Sequence, residues 1–352
     1  MKAAVFYGAK QPLKVEEYPK PQIGPDEILV KVAACGVCHT DLHYIDHGVP
    51  TFKKPPFILG HEASGTVAEL GANVRSDSGV PTQSGKNFKS GDRVLLPAVV
   101  TCGSCEFCRI GRENICKNMI MFGNHVDGAY AEYVKAPAKD AFLLPAEIPL
   151  LEGCIIADAI STPYHAVKNR ARVRPGDTVA VFGCGGVGVN VVQLSAAAGA
   201  TVIAVDMIEK KLDWAKKFGA VYTVNAAKSA DVAKDIRKMT NGGVDIAIEA
   251  IGNPNTMTVA YNSLKKGGRL CVVGYTDKDM TVSAAKMMFF EMEVIGSLGC
   301  RPVDYPRLIE MVRIGKVQVV PLVTHKFPLE RINEAFDTLR QGECLRAIVT
   351  MG

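Results

Sequence analysis

Two different rhythms of apolar and polar residues divide this chain. Up to about residue 155, short apolar runs alternate with Gly and Pro breakers, as at 27–34, 65–70 and 92–95. Runs of that length between turn residues predict an irregular β-rich domain. From about residue 176 to 299 the rhythm changes. Short apolar runs at 178–182, 201–205, 220–224, 245–250, 269–273 and 294–297 are separated by stretches of helical period. That alternation predicts a parallel sheet covered by helices on both faces. Amphipathic helices are expected near 302–314 and 329–340, and a last strand at 345–350. The tail is expected to return to the first domain, giving a discontinuous domain of 1–155 with 300–352 and a second domain of 156–299. The polar, Gly/Ser-rich stretch 75–91 reads as a surface loop.

Composition narrows the partners. A chain of 352 residues is long enough for two cores, and 48% hydrophobic with 22% charged residues is ordinary for a globular protein. The net charge of +5 comes from 41 basic and 36 acidic residues without a polybasic tract, so nucleic acid is not an expected partner. The opening MKAAVFYG is strand-like and lacks the signal-peptide pattern. No apolar run approaches the roughly 20 residues that span a bilayer. The expectation is a cytoplasmic protein without a membrane partner. Of eleven cysteines, Cys154, Cys184, Cys271, Cys300 and Cys344 sit in apolar or glycine-rich surroundings and read as small buried side chains.

Five other cysteines are candidates for chemistry. Cys102, Cys105 and Cys108 follow one another with two residues between, and Cys116 follows after seven more residues. Four thiolates at that spacing can close a tetrahedron around one Zn²⁺. The run at 178–182 leads into Gly183-Cys184-Gly185-Gly186-Val187-Gly188, with a helix expected through about residue 198. This is a dinucleotide fingerprint in context: Gly183 turns, Gly185 admits a pyrophosphate and Gly188 permits close helix packing. The helix N-terminus offers N–H groups to phosphate. Asp206, at the end of the next run, can accept both ribose hydroxyls and repels a 2′-phosphate. Met207 adds no cation, so NAD is favoured over NADP. Lys211 lies one helical turn on, either reaching the ribose or simply facing water.

A second metal cluster involves Cys38-His39-Thr40-Asp41-Leu42-His43 and Gly60-His61-Glu62. Cys38 and His61 are good zinc ligands, but an open catalytic site needs a third. Asp158, an acid in the apolar stretch CIIADAISTPYHAV, is the candidate; taken alone it fits a helix cap equally well.

These motifs carry a resemblance. GHEASGTVAELGANV at 60–74, CGVCHTDLH at 35–43, the four-cysteine lobe at about 98–118, the glycine loop and the terminal LRAIVTM fall in one order and spacing. The chain thereby resembles the zinc-containing alcohol dehydrogenases of the medium-chain dehydrogenase/reductase superfamily, over essentially its whole length. The resemblance implies an α/β architecture, with a GroES-like β-rich catalytic domain and a Rossmann domain with a doubly wound parallel sheet. It implies NAD as cofactor and two zinc ions per chain, the four-cysteine one structural. It implies a catalytic zinc on Cys38, His61 and a third ligand, with Glu62 beside it. Cysteine is the commonest third ligand; Asp158 occupies that position here, as a carboxylate does in some members. Thr40 and His43 match the family's proton relay. His39 and Arg346 match residues that meet the coenzyme pyrophosphate, and Thr162, Val273 and Gly274 match positions lining the nicotinamide pocket.

Family analogy also implies a homotetramer that associates through the strand near 294–298. The stretch 285–317, together with Asp158, most resembles the branch that oxidises a cyclic secondary alcohol carried on CoA. Lys53, Lys54 and Arg301 are candidate cations for its phosphates. A general dehydrogenase for primary or secondary alcohols is the alternative. A non-catalytic, zinc-stabilised NAD(H)-binding regulator is the alternative of another class. A regulator has no use for Cys38, Thr40, His43, His61 and Glu62 together.

Overall fold

The computed structural model describes residues 1–74 and 87–352; most of the expected loop at 75–91 lies outside them. The chain forms two compact units, Met1–Ser161 with Cys300–Gly352, and Thr162–Gly299.

The first unit is built on the long strand Glu27–Gly36, which is apolar except at Glu27 and Lys31 and buried along most of its length. Ala63–Leu70 pairs antiparallel along it, with two register shifts that bend the pair. The sheet runs in the order Phe142–Leu143, Arg93–Leu96, Ala63–Leu70, Glu27–Gly36, Arg346–Thr350, Val323–Pro328, and Tyr133–Pro137 also pairs with Glu27–Gly36. The C-terminal strand Arg346–Thr350 thus joins a sheet begun by N-terminal strands, as the returning tail requires. A smaller sheet holds Lys14–Glu17, Lys2–Phe6 and Phe57–Ile58. Val30, Val32, Ala63, Val67, Tyr130 and Phe336 meet in the core.

The second unit is a six-stranded parallel sheet. Its order is Ala220–Asn225, Thr201–Asp206, Thr178–Phe182, Val244–Glu249, Leu264–Val272, Glu293–Gly296. This is the doubly wound order that reverses beside the first strand. Both faces of the central strands are buried: Ala180 and Phe182 enter one core with Ile203 and Val205, while Val179, Val181, Val202 and Ala204 are equally inaccessible. Burial on both faces explains why these strands read as continuous apolar runs.

Differences from the sequence expectation are local. The strand expected at 269–273 opens at Leu264. Val244 pairs with Leu264 before a register shift puts Ile246 on Arg269, so the polar KKGG between them is an irregularity in the pairing. The helices expected near 302–314 and 329–340 each begin with a 3₁₀ turn, Pro302–Asp304 and Leu329–Arg331, before α-helix at Tyr305–Arg313 and Ile332–Arg340. Among the described residues, no helix is long and apolar enough to cross a membrane.

Candidate metal centre and nucleotide site

Strand Glu27–Gly36 delivers Cys38 to the N-terminus of helix His39–His47, where Cys38 is the cap residue and its Sγ accepts from Thr40 N at 3.5 Å. A helix N-terminus favours negative charge on that sulfur. The neighbouring strand begins just after His61-Glu62. Gly36 lets the two segments close up: a Cβ there would lie 2.2 Å from Glu62 Oε2. Asp158 follows the 3₁₀ helix Glu152–Ala157.

These elements bring Cys38, His61, Glu62 and Asp158 into one cluster whose ligand atoms lie within 4.8 Å of one another. Cys38 Sγ is 3.7 Å from Asp158 Oδ2, and His61 Nε2 is 3.5 Å from the same oxygen. Tetrahedral zinc with ordinary bond lengths would space sulfur from oxygen by about 3.6 Å and nitrogen from oxygen by about 3.4 Å. Both ring nitrogens of His61 and Oε2 of Glu62 are buried without a hydrogen-bond partner in the protein. Unpaired buried acceptors clustered with a thiol are a donor set that suits a dication. Burial pushes the Cys38 thiol up. For His61, burial opposes charge, but Asp41 and Asp158 outweigh it and raise the imidazole.

Sequence reasoning missed Asp41. Its carboxylate is fully buried, with Oδ1 3.6 Å from His61 Nδ1 and Oδ2 2.8 Å from the Tyr130 hydroxyl. A ligating histidine usually directs its second nitrogen at a carboxylate or carbonyl, so an acid three residues after Cys38 was the available signal. Arg346 was expected at the coenzyme pyrophosphate; here it is 2% exposed and its Nη2 donates to Glu62 Oε1. Thr40 Oγ1 lies 3.5 Å from Cys38 Sγ. His39 is exposed at the start of the helix, and His43 is half-buried one turn on, its ring 5.7 Å from that of His47. Burial, helped by His47, lowers the His43 pKa.

The four-cysteine lobe forms a tight set. Sulfur separations are 3.4 Å for Cys102–Cys116, 3.5 Å for Cys105–Cys108, and 3.9 Å for Cys102–Cys108 and Cys105–Cys116. A tetrahedral zinc–thiolate site needs about 3.8 Å, so the cage fits zinc. The N–H groups of Ser104 and Cys105 lower the Cys102 thiol to about 5. The five remaining cysteines named above are buried, as expected.

In the second unit, Gly183 has φ of +90°, and a Cβ on Gly188 would lie 1.7 Å from Gly183 O, so neither position tolerates a side chain. Around Gly185 there is open space, and Gly186 and Val187 are half-buried ahead of helix Gly188–Ala197. Asp206 ends its strand with the carboxylate fixed by Cys184 N at 2.8 Å and Ile208 N at 3.0 Å. Lys211 is half-buried in the following helix. Val273 and Gly274 both donate their N–H groups to Glu249 O, and Thr162 is half-buried.

Two of the candidate phosphate-binding cations are engaged elsewhere. Lys53 pairs with Asp127 at 2.6 Å, and Arg301 holds Asp304 and Gly111 O; Lys54 is exposed.

Comparison with known proteins agrees with this geometry. A zinc-binding dehydrogenase family matches residues 186–313, and the alcohol dehydrogenase GroES-like domain matches residues 24–146. An alcohol dehydrogenase of Geobacillus stearothermophilus is 37% identical, over 99% of this chain and 98% of its own. A sorbitol dehydrogenase of Bacillus subtilis is 35% identical, over 99% and 97%. An alcohol dehydrogenase from Thermus sp. ATN1 superposes with a TM-score of 0.90 at 26% identity, covering 99% of both chains. The chain belongs to the zinc-containing alcohol dehydrogenases and is an oxidoreductase of that family, with a GroES-like domain and a Rossmann-type parallel sheet.

Proposed function

We propose that this zinc-containing alcohol dehydrogenase oxidises a secondary alcohol to a ketone with NAD, using the open cluster of Cys38, His61 and Asp158. The reading rests on that cluster: Asp158 lies at zinc-like separations from both Cys38 and His61, and neither histidine nitrogen has a hydrogen bond in the protein. Zinc supplies Lewis acidity toward the substrate oxygen, and NAD accepts the hydride. Cys38, His61 and Asp158 hold the metal, and Asp41 orients the His61 ring. Glu62, anchored by Arg346, keeps its second carboxylate oxygen beside the cluster. Thr40 accepts the hydroxyl proton, and His43 carries it toward solvent; its lowered pKa keeps the imidazole neutral and ready to accept. Cys102, Cys105, Cys108 and Cys116 hold a structural zinc.

Gly183, Gly185, Gly186, Val187 and Gly188 admit the pyrophosphate at the helix N-terminus. Asp206 and Lys211 take the adenosine ribose, and the carboxylate turns away a 2′-phosphate. Thr162, Val273 and Gly274 line the nicotinamide. The domain division follows the two compact units, 1–161 with 300–352 against 162–299, so the boundary expected at 155 moves six residues on and Asp158 stays with Cys38 and His61. The protein is a cytoplasmic homotetramer associating through the edge strand Glu293–Gly296.

For substrate, the stretch 285–317 together with Asp158 resembles 6-hydroxycyclohex-1-ene-1-carbonyl-CoA dehydrogenase, which forms the 6-oxo product in anaerobic benzoyl-CoA degradation. The engagement of Lys53 and Arg301 means that other cations would meet the CoA phosphates. The similarity to alcohol and sorbitol dehydrogenases favours a second reading, free alcohols or polyols. NADH absorbance with both substrate classes separates them. The CoA reading expects kcat/KM for the thioester to exceed that of every free alcohol, with a KM that rises with salt. Equal or better turnover of free alcohols overturns it. No turnover of any alcohol by zinc-loaded protein would favour a regulator.

A further inference from the structure

We propose that Tyr305 is a positioning residue for the metal centre: its hydroxyl sets the direction of Asp158 by holding the carbonyl that precedes it. This rests on the reading of Asp158 as a zinc ligand.

The 3₁₀ helix Glu152–Ala157 ends at Asp158, so the Ala157 carbonyl lies at a helix C-terminus and needs a partner from outside. Two hydroxyls supply it. Tyr305 Oη donates in a short hydrogen bond, and Ser161 Oγ donates at 2.9 Å. Cys300 Sγ lies 3.0 Å from Tyr305 Oη, where its S–H satisfies an oxygen lone pair. A carbonyl has two lone pairs and a tyrosine hydroxyl one proton, so the group closes without a surplus donor.

Tyr305 is itself immobilised. It is fully buried, and its ring stacks on Phe142 with centroids 4.9 Å apart. The 3₁₀ turn before it is anchored by Arg301, which grips Asp304 and donates to Gly111 O at 2.9 Å. Ala157 C=O and Asp158 N belong to one rigid peptide plane. Fixing the carbonyl therefore fixes where Asp158 leaves the backbone, and a side chain with two rotatable bonds has little further freedom. Asp158 Oδ2 is the atom that faces both Cys38 Sγ and His61 Nε2. Loss of a group that orients a ligand typically costs 10–100-fold in metal affinity.

The test is open-site zinc affinity, measured by competition with a chromophoric chelator on whole protein that retains its four-cysteine zinc. The proteins are wild type, Tyr305→Phe, Asp158→Ala and the double variant, with Ser161→Ala as a second probe of the same carbonyl. The expected result is about a tenfold or greater loss for Tyr305→Phe and a measurable loss for Ser161→Ala. Asp158→Ala should lose more, and the double variant should be no weaker than Asp158→Ala alone. Wild-type affinity in Tyr305→Phe, or losses that add in the double variant, would overturn the positioning role, even if the melting temperature fell. Should Tyr305→Phe fail to fold, the Ser161→Ala pair with Asp158→Ala decides by the same criterion. Unchanged affinity in Asp158→Ala would overturn the ligand reading beneath it.

Discussion

Replacing Arg346 by Met should destabilise the protein strongly, and the size of the effect follows from where its charge lies. The side chains of Arg346 and Glu62 are 3% and 0% exposed, and Arg346 Nη2 donates to Glu62 Oε1. Burial pushes the Glu62 carboxyl up, while the guanidinium pulls it down. Met keeps an apolar stem of similar length but leaves a buried carboxylate without its partner, near Asp158. Breaking a buried pair from one side costs about 3–5 kcal/mol. With a urea m-value of about 3 kcal/mol/M, the midpoint should fall by about 1–2 M. The penalty should also depend on pH. Without Arg346 the folded-state pKa of Glu62 lies above its unfolded value of about 4.3. The variant therefore suffers no penalty below that pH, and the full penalty appears above the raised folded value. Adding Glu62→Gln removes the charge and should restore much of the stability. The assay is urea unfolding of zinc-loaded protein at several pH values. A midpoint within about 0.2 M of wild type at neutral pH, or a loss that does not ease in acid, would refute the reasoning.

Other expectations are as direct. Wild-type enzyme should prefer NAD⁺ strongly over NADP⁺, and Asp206→Gly should narrow the gap; comparable kcat/KM for both cofactors in wild type would refute the role of Asp206. His43 has its pKa lowered by burial and by His47. Alcohol oxidation should therefore rise with pH through a limb below the ordinary histidine value of about 6.5. His47→Gln removes the like charge and should move that limb to higher pH; an unmoved limb would exclude His43 as the proton acceptor.

How much of this was legible in the sequence depends on the range of the interaction. The six strands of the second unit, the glycine loop and the four-cysteine lobe are local signals. Burial on both faces forces apolar runs, a tight turn forces Gly183 and Gly188, and a zinc cage forces close sulfur spacing. Cys38, His61 and Asp158 are separate in sequence, and only their chemistry together with the family resemblance points to their being gathered by the fold. Asp41 lay inside a motif already singled out and was passed over, because a carboxylate in a first helical turn also reads as a favourable end charge. The bond from Tyr305 to Ala157 and the pairing of Arg346 with Glu62 left no local trace. A tyrosine opening a helix reads as an ordinary core residue, and a buried arginine is invisible until its partner is known. Arg301, a candidate for phosphate, is taken up by Asp304 and Gly111 O for the same reason. The early start of the strand at Leu264 was hidden because one pairing, Val244 with Leu264, extends it across the irregular, polar KKGG.

Alcohol oxidation should depend on zinc held in the open cluster, apart from the four-cysteine cage. The direct measurement follows zinc content and NADH formation together while a mild chelator strips the fully loaded protein. Two zinc ions per chain are expected at the start, with turnover falling in proportion to loss of the first while the fold and the second zinc persist. Turnover that survives with only the four-cysteine zinc in place, or a fully loaded protein with one zinc per chain, would contradict it.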